Sequence, residues 1–174
     1  MEIRAAVPGD LDELMDFYAE MSRALDKQDF LPHGNRGGFP SREMVEDAIR
    51  DAGQFVGVED GRIMAAYFLS HDCDRAYETA PWSVRAPREQ VSVLHALRVL
   101  PACGGRGCSR RLMEHAIRTA RARGQKALRL DCARGNDIPA RLYRSCGFRE
   151  VGTAVITYED IGEPMEFGLF ELAL

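Results

Sequence analysis

The sequence predicts a single α/β domain spanning residues 1–174. Three observations predict it. Strand-like and helix-like apolar periods alternate along the chain in the order β-α-α-β-β-β-α-β-α-β-β, with no internal repeat and no second core. The run VSVLHALRVL, from Val91 to Leu100, is almost continuously apolar, as a central strand buried on both faces must be. A glycine-rich loop follows that run at once and opens into a helix with an arginine-rich outer face.

Each element has its own signal. EIRAA reads as a short strand. PGDLDEL starts a helix, with Asp10 as the N-cap and Glu13 three residues later as in a capping box. Leu11, Leu14, Met15, Tyr18, Ser22 and Leu25 then follow helical spacing. KQDFLPHGNRGGFP carries two prolines and three glycines and breaks regular structure. Ser41 caps a second helix whose apolar face is Met44, Val45, Ala48 and Ile49. QFVGVED and GRIMAAYFLS flank Asp60-Gly61, a tight-hairpin signal. HDCDRAYETAPWSVRAPRE is an irregular polar insertion before the central strand.

Beyond the glycine loop a helix runs to about Arg123, with Leu112, Ala116, Ile117 and Ala120 on one face, and Gly124 ends it. KALRLDC is another strand. Asn136 or Asp137 caps the short helix IPARLYRSC, where Pro139 is tolerable in the first turn, and Gly147 stops it. FREVGTAVITY and MEFGLFELAL are two closing strands. The last can pair within the chain or with a partner's edge, so a homodimer stays open.

Composition narrows the class. The chain is 45% hydrophobic and 29% charged, which is globular rather than disordered. No run approaches bilayer-spanning length, and the charged N-terminus lacks a signal-peptide core, which predicts a cytoplasmic protein without a membrane partner. The five cysteines are odd in number and lack zinc-site spacing, so reduced thiols and no metal are expected. Cys108 lies in the glycine loop but has no nameable base to make it a nucleophile. The net charge of −4 hides an asymmetry: Arg98 to Arg149 holds 13 basic and 3 acidic residues, against 10 and 24 elsewhere. One segment is prepared for an anion, and the rest can attract a cation.

The loop supplies the anion site. Between a central strand and a helix N-terminus, free N–H groups converge and the helix dipole adds positive character. Gly104, Gly105 and Gly107 let the backbone come close to a phosphate, with Arg106, Arg110 and Arg111 nearby. A Walker loop is excluded because no Lys-Ser/Thr pair follows. The dinucleotide fingerprint fails because Arg110 stands at its third glycine position.

VLPACGGRGCS resembles the acyl-CoA loop of the GNAT superfamily of N-acetyltransferases, V-x-P-x-x-[QR]-x-x-G-x-[GA]. Val99, Pro101 and Gly107 coincide, while Gly104 stands where Gln or Arg is usual and Ser109 where Gly or Ala is. NDIPARLYRSCGF is similar to the family's N-x(6)-Y-x(3)-G-F helix signature through Asn136, Tyr143, Gly147 and Phe148. HALRVLP and GLFELAL resemble a bacterial subset often without assigned substrates.

The resemblance implies a mixed central sheet of six to seven strands with about four helices and two central parallel strands that splay. Acetyl-CoA would sit in the gap, its pyrophosphate on the amides of Gly104, Gly105, Arg106, Gly107, Cys108 and Ser109. Its pantetheine would pair along Leu97, Arg98 and Val99, and Asn136 would bind the cofactor or pin the splay. The implied activity is direct acetyl transfer to a primary amine of a small molecule or peptide, within a ternary complex. Tyr143 matches the tyrosine that protonates the departing thiolate in this family. His95 interrupts the apolar strand near the expected thioester and is the candidate base, with water-mediated proton removal as the other option. His33, His71 and His115 have no comparable placement, and His115 reads as solvated. Phe39, Tyr77 and Trp82 would wall the acceptor site, with Asp72, Asp74 or Glu78 attracting a cationic amine. Two rival functions follow from the same residues. One is a catalytically weak acyl-CoA or amine sensor. The other is a nucleic-acid binder, disfavoured because no aromatics interleave the arginines.

Overall fold

A computed structural model describes residues 1–25, 38–159 and 161–174. The strands are β1 (Glu2–Ala5), β2 (Gln54–Glu59), β3 (Arg62–Ser70), β4 (Val91–Val99), β5 (Ala127–Ala133), β6 (Arg149–Ile156) and β7 (Met165–Ala173). The helices are α1 (Leu11–Leu25), α2 (Arg42–Arg50), α3 (Cys108–Ala122) and α4 (Asp137–Ser145). They follow the predicted order. The turn between β2 and β3 has positive φ at Asp60 (51°) and Gly61 (76°), which fits the twist of a two-residue hairpin. Ser41 Oγ accepts from Met44 N–H at 3.2 Å and caps α2.

Two local expectations are corrected. Asp10 ends a 3₁₀ turn, Pro8–Asp10, instead of capping α1. Its carboxylate turns back to Val7 N–H at 2.8 Å and to the Arg4 guanidinium at 2.6 and 2.8 Å. Glu13 likewise serves tertiary structure, accepting from Ile63 N–H at 2.7 Å. His115 is not solvated: Nδ1 lies 2.7 Å from Tyr67 Oη, and its ring packs against Phe55. His33 lies outside the described residues.

The strands form one sheet in the order β1-β2-β3-β4-β5-β7-β6. The β4–β5 pair is parallel and the others are antiparallel. One face carries α3, whose Leu112, Met113, Ala116 and Ala120 pack on Tyr67, Leu69, Leu94, Leu128 and Leu130. The opposite face carries α1 and α2, whose Leu14, Phe17, Tyr18 and Val45 pack on Val56, Ala66, Phe68 and Ala96. Tyr67 and Phe68 fall in different cores because neighbouring strand residues point to opposite faces.

The feature that makes the site is at the middle of the sheet. β4 and β5 pair at Val91↔Ala127, Ser92↔Leu128 and Val93↔Arg129, then part. A bulge bends β4 at that place. Phe68 pairs with His95 and Ala66 with Arg98, so Tyr67 faces both Ala96 and Leu97. Ala96 takes φ 47°, a left-handed value that a larger or branched side chain tolerates poorly. On the far side β5 is fully occupied by β7, from Ala127↔Ala173 to Ala133↔Phe167. The gap therefore opens only toward β4. No helix among the described residues is long and apolar enough to cross a membrane.

Candidate active site

The glycine loop closes one end of the gap. Leu100 N–H donates to Met64 O at 2.9 Å, which ties the end of β4 to β3. A 3₁₀ turn, Pro101–Cys103, follows and bonds Gly104 N–H to Pro101 O at 2.9 Å. The N–H groups of Gly105, Gly107, Cys108 and Ser109 donate to no backbone carbonyl in this loop, so they remain for a ligand. Gly105 (φ 70°) and Gly107 (φ 74°) are left-handed, and a Cβ at either would stand in the open space before those amides. A Cβ at Gly104 would come within 3.0 Å of Pro101 O, so this turn suits the glycine that departs from the usual pattern.

The cleft has a volume of about 650 Å³. Leu97, Arg98, Val99, Gly104, Gly105, Gly107, Cys108, Ser109, Asn136 and Tyr143 all line it. Arg106 does not: its guanidinium pairs with Glu59 at 2.9 and 2.5 Å, away from the cleft. Arg110 takes the place expected of Arg106, lining the cleft while donating to Ser145 Oγ at 2.7 Å. Arg111 reaches Met1 O at 2.7 Å. The donors, the two left-handed glycines and the positive charge fit a pyrophosphate. The unpaired edge of β4 beyond Val93 fits an amide-bearing arm.

A second chamber of about 460 Å³ adjoins the cleft. Phe39, His95, Asp131 and Tyr158 line both cavities, so they form the shared wall. Of the residues expected at the acceptor site, Phe39, Tyr77, Asp72 and Asp74 line the chamber, and Trp82 and Glu78 do not. Trp82 stands behind Tyr77 instead. Its Nε1 donates to Tyr77 O at 2.7 Å, the two rings lie 5.1 Å apart, and the Arg129 guanidinium sits 4.3 Å from the indole. Arg129 is in turn held by buried Glu171 at 3.1 Å.

His95 stacks on Phe68 with ring centroids 4.7 Å apart. Its Nε2 lies 3.0 Å from Ser70 Oγ and 3.1 Å from the Asp72 carbonyl. A carbonyl only accepts, so Nε2 carries the proton and Nδ1 the lone pair. Burial lowers its pKa to about 4, so the ring is uncharged at neutral pH. Tyr143 packs against Phe170 at 5.6 Å and lines the cleft, and burial raises its pKa, so the phenol keeps its proton.

Sequence reasoning missed Asp131 and Tyr158. Tyr77 Oη and Tyr158 Oη donate to Asp131 Oδ2 at 2.7 and 2.8 Å. Burial raises the pKa of Asp131, with the two phenol hydrogen bonds opposing. The signal for Asp131 was present, since an acid interrupts the strand ALRLDCA as His95 interrupts β4. Tyr158 follows β6 with no pattern of its own, and only the tertiary fold brings it here.

A parallel pair parted around a glycine-lined cleft, with a second chamber at its wall, is an architecture for bringing two ligands together. The Acetyltransferase (GNAT) family profile matches residues 13–148, and the chain belongs to this family. Acetyl-CoA is the acyl donor of the family. An uncharacterized N-acetyltransferase from Archaeoglobus fulgidus is 30% identical over 149 residues, which cover 86% of this chain and 93% of the relative. A GNAT-family acetyltransferase structure from Streptococcus agalactiae superposes with TM-score 0.74 at 18% identity, covering 99% of this chain and 95% of that one. The structure of yncA from Salmonella typhimurium, solved with its cofactor acetyl-CoA, gives TM-score 0.71 at 17% identity, covering 99% and 93%.

Proposed function

We propose that this acetyltransferase is an N-acetyltransferase, moving the acetyl group of acetyl-CoA directly to a primary amine within a ternary complex. The observation that carries this is the wall shared by the two cavities, formed by Phe39, His95, Asp131 and Tyr158. A donor in the cleft and an acceptor in the chamber can meet there with no covalent enzyme intermediate. In this reading residues 1–174 form one catalytic domain, working in the cytoplasm where acetyl-CoA is available.

The free amides of Gly105, Gly107, Cys108 and Ser109, the α3 dipole and Arg110 would hold the pyrophosphate. The free edge of β4 near Leu97 and Val99 orients the pantetheine arm, and Asn136 borders it. Bound acetyl-CoA would supply an acetyl thioester: starting from the ammonium, one proton goes to solvent, a C–N bond forms as the C–S bond breaks, and the second nitrogen proton balances the one taken up by sulfur, leaving the N-acetyl product and the free thiol. Tyr143 is the proton donor to the departing sulfur, because burial keeps its phenol protonated. Neutral His95 borders the amine without repelling its positive charge, and its low basicity makes it a weak proton acceptor. Burial pushes the Cys132 thiol up to about 12, so it is not a thiolate that could take the acetyl group itself.

Calorimetric titration with acetyl-CoA, beside ATP and NAD, tests the reading, followed by thiol release with a broad panel of amines and peptides. Selective micromolar acetyl-CoA binding with amine-dependent thiol release supports it. Binding without turnover on any amine would make the protein a sensor of the same fold. Absence of binding would sink the cofactor assignment.

A further inference from the structure

Asp131 stands on β5 two residues past Arg129, the last residue paired with β4, at the point where the strands part. Its Oδ2 accepts from Tyr77 and Tyr158, which come from separate segments, at 2.7 and 2.8 Å. Its Oδ1 takes no hydrogen bond among the described residues. A half-buried carboxylate in a sheet centre opposes folding unless paired, and an apolar residue of similar size would serve stability better. No lysine or arginine among the described residues lines the chamber or forms an ion pair with Asp131; Arg98, on the cleft side, favours its charge only at a distance. Two phenols fix one oxygen and leave the other for a ligand.

The chamber rim repeats the sign. Asp74 and Glu159 line it, with Asp72, which is held by Arg88. Asp74 Oδ1 accepts from Ala76 N–H at 2.8 Å, and Glu159 makes no ion pair among the described residues. Phe39, Met44 and Tyr77 supply apolar wall between floor and rim.

We propose that Asp131 is the anchor and proton acceptor for the acceptor's ammonium group, and that the acceptor is a small amine carrying a second positive charge, read by Asp74 and Glu159. This rests on the N-acetyltransferase reading above and names its substrate class. The ammonium docks on Oδ1, and one proton moves from nitrogen to that oxygen. The N–H bonding pair stays on nitrogen as the attacking lone pair. The carboxylic acid so formed returns its proton to solvent after transfer. Burial brings the proton affinity of Asp131 closer to working pH, and the groups facing it set the balance. These are Tyr77 and Asp74 from one side, Tyr158 and Glu159 from the turn after β6, His95 and Arg98 on β4, and Cys132 next in chain. His95, being uncharged, does not compete for the carboxylate.

The test compares 1,4-diaminobutane, 1-aminobutane and 4-aminobutanoate as acceptors, with a peptide N-terminus beside them. The expected order of kcat/KM is diamine, monoamine, amino acid, with the amino acid on the order of 100-fold below the diamine. The diamine alone, without acetyl-CoA, should bind in calorimetry. In Asp131→Asn that binding should weaken at least about tenfold and kcat/KM should fall by roughly 10²–10⁴. Acetyl-CoA affinity should hold, and the acid limb of the pH–rate profile should disappear. Tyr158→Phe, which keeps the carboxylate, should lose less of each. Equal turnover of 4-aminobutanoate, transfer confined to the peptide, or full activity of Asp131→Asn would overturn the inference while leaving acetyl transfer standing. Failure of the wild type to bind acetyl-CoA, or to acetylate any amine or peptide in the broad panel, is instead the failure of the N-acetyltransferase reading itself.

Discussion

The two cavities differ in how they are written. The glycine-lined cleft is built from contiguous chain: Leu97 to Ser109 and Asn136 to Tyr143 supply most of its polar groups. It presents backbone amides, left-handed glycines and the guanidinium of Arg110, which makes no ion pair among the described residues. The chamber is assembled from short pieces far apart in the chain, around Phe39, Asp72 to Tyr77, His95, Asp131 and Tyr158, and bears carboxylates at floor and rim. A nucleotide tail presents a fixed anion to the backbone, so a short motif suffices. A variable amine must be met by side chains, and those come from wherever the fold can deliver them.

Substitutions can separate the cavities, and after Asp131→Asn those at the cleft should be the most severe. Gly107→Val places a branched side chain at φ 74° in front of the free amides. Acetyl-CoA affinity should fall on the order of 100-fold by calorimetry, with diamine binding unchanged. Loss of both would mean that the loop also shapes the chamber. Tyr143→Phe should lower kcat by roughly 100-fold while leaving both KM values near wild type. An unchanged kcat would assign Tyr143 to packing against Phe170.

The support behind the chamber comes next. Glu171 is 3% exposed and accepts from Arg129 Nε at 3.1 Å, Ser83 N–H at 2.8 Å and Val84 N–H at 3.1 Å. Glu171→Ala leaves these donors unpaired and should cost about 3 kcal/mol, read as a melting-temperature loss of roughly 6–12 °C. Trp82→Ala acts more locally. Removing the prop of Tyr77 should raise the amine KM a few-fold, with acetyl-CoA affinity intact. If cofactor affinity falls equally, Trp82 supports the whole sheet and not the chamber alone.

The titration of Asp131 gives a stability test with a definite sign. Its folded pKa is raised above 3.8, so the folded chain binds its proton more tightly than the unfolded chain does. The resulting stabilisation is present below the ordinary carboxylate range and is lost as pH rises through the raised value. Asp131→Asn should therefore melt at or above the wild-type temperature at neutral pH while losing activity. A marked fall would mean that the carboxylate holds the fold together. The smallest effect belongs to Arg106→Ala. That side chain pairs with Glu59 outside the cleft, so acetyl-CoA affinity should stay within about twofold and melting should barely move.

Sequence alone determined the element order, the Asp60-Gly61 hairpin, the Ser41 cap and the glycine loop with its following helix. These are local: each depends on periodicity, turn chemistry or a motif within a dozen residues. Tertiary structure decided the rest. Asp10 and Glu13 looked like a helix cap but serve Arg4 and Ile63, because distant partners outcompeted the local ones. His115 was drawn in by Tyr67 across the core. Arg106 and Arg110 stand close in sequence, yet Arg106, in the turn before α3, goes to Glu59, and Arg110, in the first turn of α3, goes to the cleft. Trp82 and Tyr77 looked equivalent, and packing put one behind the other. The Asp131–Tyr77–Tyr158 cluster joins positions 54 and 27 residues apart. Such contacts exist only after the sheet closes, when burial gives a lone carboxylate its partners and its raised affinity for a proton.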